Sequence, residues 1–314
     1  MKIVLLANMR SGRGLGPETA RTLVAALRAD GHEVVELAVG ESHARLAEEL
    51  AGAGALLLAG GDGTVHKTLA EVEAANVPVY HVPCGNENLF AREFGMTREV
   101  ETVRRAIAGG RVERLDVGIV REAIGDGHAE FPFLLMCGVG PDAGVIERLT
   151  ALRTDATGHL AYLEPVAREI LSPRLPLLTV DVDGNRVVDE RRGMLVVANC
   201  RQYGFRLDPA ERASMTDGLL DVVFLPCRTS LGALWWCLRL RTGWRGAGRG
   251  YWQGREVMVH AGRGAVFQLD GDAPRWQLAH GPAQTRRTHL PGSAADGLSL
   301  RITVRPGALP ALVP

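Results

Sequence analysis

Ala55-Leu56-Leu57-Leu58-Ala59-Gly60-Gly61-Asp62-Gly63-Thr64 is a short apolar run that ends on a glycine turn. The run reads as a strand, and the turn as a connection from that strand into a helix. Glycines let backbone N–H groups approach an anion, a following helix N-terminus adds partial positive charge, and the Thr64 hydroxyl can donate. Asp62 is awkward beside phosphate alone but suits a bridging cation such as Mg2+. Its plainer use is to cap a helix.

The same arrangement recurs on either side. Lys2–Ala7 is strand-like and leads into Asn8-Met9-Arg10-Ser11-Gly12-Arg13-Gly14, while residues 77–82 lead into Pro83-Cys84-Gly85-Asn86-Glu87-Asn88. Between them Ala20, Leu23, Val24 and Leu27 mark one helical face, with Pro17 in its first turn, Gly31 at its end and another strand at 33–39. Strands separated by helices imply a parallel sheet, which places its ligands at strand C-termini. One glycine turn could be only a turn; three at strand ends favour a shared crevice.

After about residue 111 the rhythm changes. Strand-like runs fall at 131–137, 175–182, 186–188, 194–199 and 219–225, with hairpin signals at Asp183-Gly184-Asn185 and Ala261-Gly262-Arg263-Gly264. These predict a largely antiparallel second domain. Residues 245–254 are Gly/Arg-rich and read as a loop, 298–304 as a last strand, and the tail from Pro306 as having no evident structure.

Composition excludes several chemistries. The chain has 314 residues, with 36 Lys+Arg against 36 Asp+Glu, so overall basicity does not argue for a nucleic-acid partner. Only Lys2 and Lys67 are lysines, and neither sits in a Walker A loop or a protein-kinase strand motif. Five widely spaced cysteines with no CxxC pair read as buried thiols in a reducing compartment. The N-terminal apolar run is too short for a signal peptide, and no stretch approaches the roughly 18 apolar residues of a membrane span. The expected location is cytoplasmic, at most peripheral to a membrane.

Leu58-Ala59-Gly60-Gly61-Asp62-Gly63-Thr64-Val65-His66 resembles the GGDGT loop of the diacylglycerol kinase catalytic domain family, which includes bacterial lipid kinases and sphingosine kinases; NAD kinases share that loop. Asn8–Gly12 resembles the family's NPxSG turn, with Met9 for proline. The stretch from Val82 to Gly95 resembles its P-x-GT-x-ND-x-AR-x-x-G motif, a lipid-kinase feature. Ala198–Gly204, Asp208-Pro209-Ala210 and Asp217-Gly218-Leu219-Leu220-Asp221-Val222 are similar to its second-domain signature, and Leu269-Asp270-Gly271-Asp272 stands in the place of its DGE motif.

The resemblance implies an α/β nucleotide-binding domain (1–125), a β-sandwich lipid-substrate domain (126–295), and a C-terminal strand (296–314) returning to the first. It implies ATP-dependent phosphorylation of a lipid hydroxyl with Mg2+. By position, Asn8, Arg10, Ser11, Gly12, Gly60, Gly61, Asp62, Gly63, Thr64, His66 and Asn86 would contact ATP. Asp272 would accept the hydroxyl proton, with Asp270 as its neighbour and Asp62 helping to place Mg2+. Asp217 and the carbonyls of Leu220 and Val222 would match a structural magnesium site. Four replacements depart from the pattern: Lys67 for glutamate, Asn86 for threonine, Leu89 for aspartate and Asp272 for glutamate. Lys67, Asn86 and the shortened Asp272 suggest a catalytically weakened nucleotide- or lipid-binding protein as one alternative; a kinase of a soluble nucleotide or polyol, as in NAD kinases, is another.

Residues 222–255 contain Arg228, Arg239, Arg241, Arg245, Arg249 and Arg255, four tryptophans and no Asp or Glu. Leu231, Leu234, Trp235 and Leu238 share one helical face. Two readings follow: contact with an anionic membrane through 228–255, or a core-packed helix followed by a basic loop.

Overall fold

Ile3, Val4, Leu5, Leu6 and Ala7 are all buried, as are all six residues of Ala55–Gly60, so both strands are covered on both faces. The computed structural model describes residues 1–9, 11, 15–40, 43–124, 127–141, 175–243, 248–272, 274 and 297–314. In it β1 (Lys2–Ala7) lies between β2 (Glu33–Ala38) and β3 (Ala55–Gly60), with β4 (Val79–Pro83) beyond β3, all parallel. Helices α1 (Leu15–Ala29), α2 (His43–Leu50), α3 (Asp62–Ala75), α4 (Leu89–Phe94) and α5 (Val100–Gly109) are interleaved with and follow these strands. α1 buries the expected Ala20, Leu23, Val24 and Leu27. α3 closes on Asn76 in the left-handed region (φ 54°), so β4 starts at residue 79 and not at 77.

The second unit is a largely antiparallel β-sandwich. It contains β6 (Gly127–Phe133), β7 (Met136–Val139), β8 (Leu177–Val182), β9 (Asn185–Ala198), β10 (Leu220–Pro226), α6 (Ser230–Arg241), β11 (Gly250–Gly254), β12 (Glu256–Ala261) and β13 (Phe267–Leu269). Long β9 pairs β8 with its first half and β10 and β7 with its second. Phe131, Phe133, Leu195, Val197, Phe224, Val257, Leu300 and Ile302 are among its buried core.

Several expectations change. The run at 131–137 is two strands, because the amides of Leu134, Leu135 and Met136 turn to the Asp270 carboxylate. The runs at 186–188 and 194–199 are one strand with register shifts against β8 and a left-handed Glu190 (φ 46°). Gly250–Gly254, expected in a loop, pairs in register with β10. Strands β5 (Val112–Ile124) and β14 (Leu298–Leu312) each run from one unit into the other, β14 continuing through the tail expected to lack structure. Its end pairs β4, Ala311 opposite Val79, and the Gly307 N–H donates to Asp116 (2.8 Å). The division falls at 117/118 and 305/306 rather than at 125/126 and 295/296. All five cysteines are free, four of them buried. No helix among the described residues is long and apolar enough to cross a membrane.

Candidate active site

In the first unit the parallel register brings the C-terminal ends of β1, β3 and β4 side by side, and hydrogen bonds lock their loops together. Asn8 N–H donates to Ala59 O (2.9 Å) and Cys84 N–H to Gly60 O (2.8 Å). The Asn8 amide donates to Thr64 Oγ1 (3.3 Å), tying the first loop to the second. A Cβ on Gly60 would lie 2.3 Å from Thr64 Oγ1, and one on Gly85 would lie 2.7 Å from the Gly61 Cα. Both positions therefore exclude any side chain, and the second and third loops meet backbone to backbone. Thr64 and His66 are buried within α3, whereas Gly61, Asp62 and Gly63 are partly open at its N-terminus and Asn86 is exposed. Ser11 lies in the first loop, its N–H donating to Asn8 O (3.1 Å); Arg10 and Gly12 fall outside the described residues.

Asp62 does something the sequence did not suggest. Its Oδ2 accepts the Leu89 N–H (2.9 Å) and its Oδ1 the Phe90 N–H (3.1 Å), the first amides of α4. Asn88 precedes that helix at φ 48° without capping it; its side chain instead exchanges bonds with Gly85 N–H and O, both 2.8 Å. The expected cap on its own helix thus acts on another helix, 27 residues away in sequence, and both oxygens of the expected Mg2+ carboxylate hold backbone.

Beneath the loop His81 is fully buried, its Nε2 3.0 Å from Gly60 O and its ring stacked on Phe90 at 5.9 Å. A carbonyl partner requires the Nε2–H tautomer. Burial pushes the imidazole pKa down, against the opposing charge of Asp62, so the ring is neutral.

In the second unit Leu269-Asp270-Gly271-Asp272 is a tight turn with positive φ at both central residues, 51° and 86°, the geometry that favours Asp-Gly. Leu269 and Asp272 exchange backbone bonds of 2.9 and 2.8 Å. Asp270 accepts three consecutive amides, Leu134 (2.7 Å), Leu135 (2.7 Å) and Met136 (2.9 Å), and so anchors the turn. Buried Asn199 braces the same segment by donating to Leu134 O (2.7 Å). Asp272, which closes the turn, is itself buried, 5 % exposed.

Asp217 accepts the Leu219 N–H (3.0 Å) in an exposed turn ahead of β10. Leu220 and Val222 belong to β10, which is paired on both sides. One carboxylate and two chain carbonyls suit a hard cation in type. Among the described residues no three His, Cys, Asp or Glu side chains gather as a metal site. Asp221 between them is fully buried, 2.5 Å from the donating Tyr251 hydroxyl, and burial raises its pKa. Sequence reading missed this pair; its signal was the register, which puts Gln253 opposite Asp221 and Tyr251 two residues along the same face.

The diacylglycerol kinase catalytic domain model matches residues 2–120, and the model of the YegS C-terminal NAD kinase beta sandwich-like domain matches 136–312. A diacylglycerol kinase of Mycobacterium tuberculosis (strain ATCC 25618 / H37Rv) is 31% identical over 227 residues, covering 70% of this chain and 72% of that protein. In fold, the chain is similar to a diacylglycerol kinase from Bacillus anthracis str. Sterne (TM-score 0.64, 15% identity, covering 100% of this chain and 97% of that one). It is also similar to yeast NADH kinase (TM-score 0.55, 9% identity, covering 100% and 84%).

Proposed function

The chain belongs to the diacylglycerol kinase catalytic domain family and is a kinase, and from that premise we propose that it transfers the γ-phosphoryl group of ATP to a hydroxyl of a diacylglycerol-like lipid. The observation that carries the nucleotide half is the interlocking of three strand-end loops through Asn8–Thr64, Gly61–Gly85 and Asp62–α4. Such a frame aims backbone amides and the N-terminus of a 14-residue helix outward, where phosphate binds without a lysine. Gly60, Gly61 and Gly63 shape and line it, while Thr64 and Asp62 hold it rigid from within.

Phosphoryl transfer needs positioning and charge neutralisation more than covalent help. Mg2+ bound with ATP would neutralise phosphate charge, and Asp217 with the Leu220 and Val222 carbonyls would hold a second, structural ion. Asp272 orients the lipid hydroxyl and accepts its proton. The hydroxyl oxygen bonds to the γ-phosphorus as the bond from that phosphorus to the β–γ bridging oxygen breaks, and ADP leaves.

Incubation with labelled ATP and a panel of lipid classes tests this reading. The expected product is a phosphorylated lipid. Label on NAD or a soluble polyol instead would move the activity to another acceptor class, and nucleotide binding without acceptor-dependent turnover would leave only a binding protein.

A further inference from the structure

Helix α6 is apolar on two sides. Trp236 and Leu240 are buried, and the Trp236 indole N–H donates to Pro226 O (2.9 Å), which fixes the helix to the end of β10. On the other side Leu231, Leu234, Trp235 and Leu238 are 77, 54, 46 and 62% exposed. Their i, i+3, i+4, i+7 spacing makes one continuous stripe. A helix apolar all round is ordinarily covered all round; this one packs through Trp236 and Leu240 and leaves the stripe exposed.

The charge on the helix and its flanking sequence is of one sign. Arg228 precedes the helix and Arg241 lies in its last turn, both exposed, and Arg241 follows Leu238 by three residues on the same face. The first turn holds no acid, the helix being capped instead by Thr229, whose Oγ1 accepts the Gly232 N–H (3.2 Å). Residues 222–255 contain no Asp or Glu at all. The buried Arg239 guanidinium lies 4.4 Å from the Trp235 ring and 4.8 Å from that of Trp236, bracing the exposed indole from behind.

We propose that this stripe is the surface by which the chain docks on an anionic lipid bilayer. The helix lies in the plane of the interface, with its leucines and Trp235 in the acyl boundary and Arg228 and Arg241 reaching lipid phosphates at either end. Twelve residues span about 18 Å, too short to cross and long enough to lie flat. A second copy of the chain fits less well, because two-fold antiparallel packing of the stripes would set arginine against arginine. The proposal rests on the reading of the acceptor as a lipid.

Co-sedimentation of the full chain with vesicles of phosphatidylcholine alone, or mixed with phosphatidylglycerol, tests it at low and high salt. The wild type is expected to pellet with the phosphatidylglycerol vesicles and to be released by salt. Leu234→Glu with Leu238→Glu should abolish pelleting, and Arg228→Gln with Arg241→Gln should weaken it about thirtyfold. All four positions are exposed, so unchanged thermal melts are expected. Wild type left in the supernatant, a leucine double variant that pellets like wild type, or self-association lost in that variant without vesicle binding would each overturn the proposal. Sedimentation needs no turnover, so the two readings fail separately. Vesicle binding without lipid phosphorylation sinks the lipid-acceptor reading, and phosphorylation of detergent-dispersed lipid without vesicle binding sinks the docking surface.

Discussion

Two aspartates two residues apart divide the labour of the second-unit turn. Asp270 is committed to three backbone amides, and the Asp272 backbone closes the turn on Leu269. Asp272 is the proposed proton acceptor, so Asp272→Asn should lower kcat by about 10²–10⁴-fold before it lowers stability. Asp270→Asn should do the reverse first, costing about 3 kcal/mol as charge-assisted bonds to amides are lost. Kinetics and denaturant melts on both variants check the split, and an active Asp272→Asn enzyme would remove its assignment. His81 adds a pH dependence. Its folded-state pKa lies below the unfolded value, so the unfolded chain binds the extra proton. The stability it confers is complete above about pH 6.5 and is lost as pH falls from there toward the depressed folded pKa. His81→Gln, which keeps an amide donor for Gly60 O without a titrating ring, should flatten that part of the curve. Thermal melts from pH 8 to pH 5 are the measurement, and superimposable curves would exclude the effect.

The elements at the loops explain why three glycine turns work together. Gly85 has no room for a side chain because Gly61 passes within contact of it, and moving one backbone moves the other. Gly85→Ala should push the loops apart, costing about 1–3 kcal/mol and raising KM for ATP more than it lowers kcat. Equal KM values for variant and wild type would show that the third loop is no part of the phosphate frame. Much of this level was legible: the strands, the helical face of α1 and the three turns follow from residue period and glycine placement. The Asp62 cap on α4 and the splitting of 131–137 were not, since each depends on a partner 27 or more than 130 residues away. Gly250–Gly254 looks like a loop by composition, yet it pairs along β10 and sets Tyr251 and Gln253 on Asp221.

At the scale of the whole molecule, the tail carries more than its composition suggests. Leu309, Ala311, Leu312 and Val313 are buried in the first unit, and Val313 N–H donates to Arg111 O (3.1 Å). Deleting residues 306–314 should expose that edge and leave the first unit unable to bind nucleotide, while Leu309→Ala alone should cost about 2–5 kcal/mol. Melts and nucleotide titrations check both, and a truncated chain that titrated normally would refute the dependence. By itself the sequence determined the class of each unit, the family resemblance and the three glycine turns at strand ends, because residue period, glycine placement and motif order are local properties. Only the tertiary structure decided that Asp62 and Asp270 hold backbone, and that the α6 stripe faces water. Hydrogen-bond partners and burial are set by what packs alongside, and no local pattern encodes that.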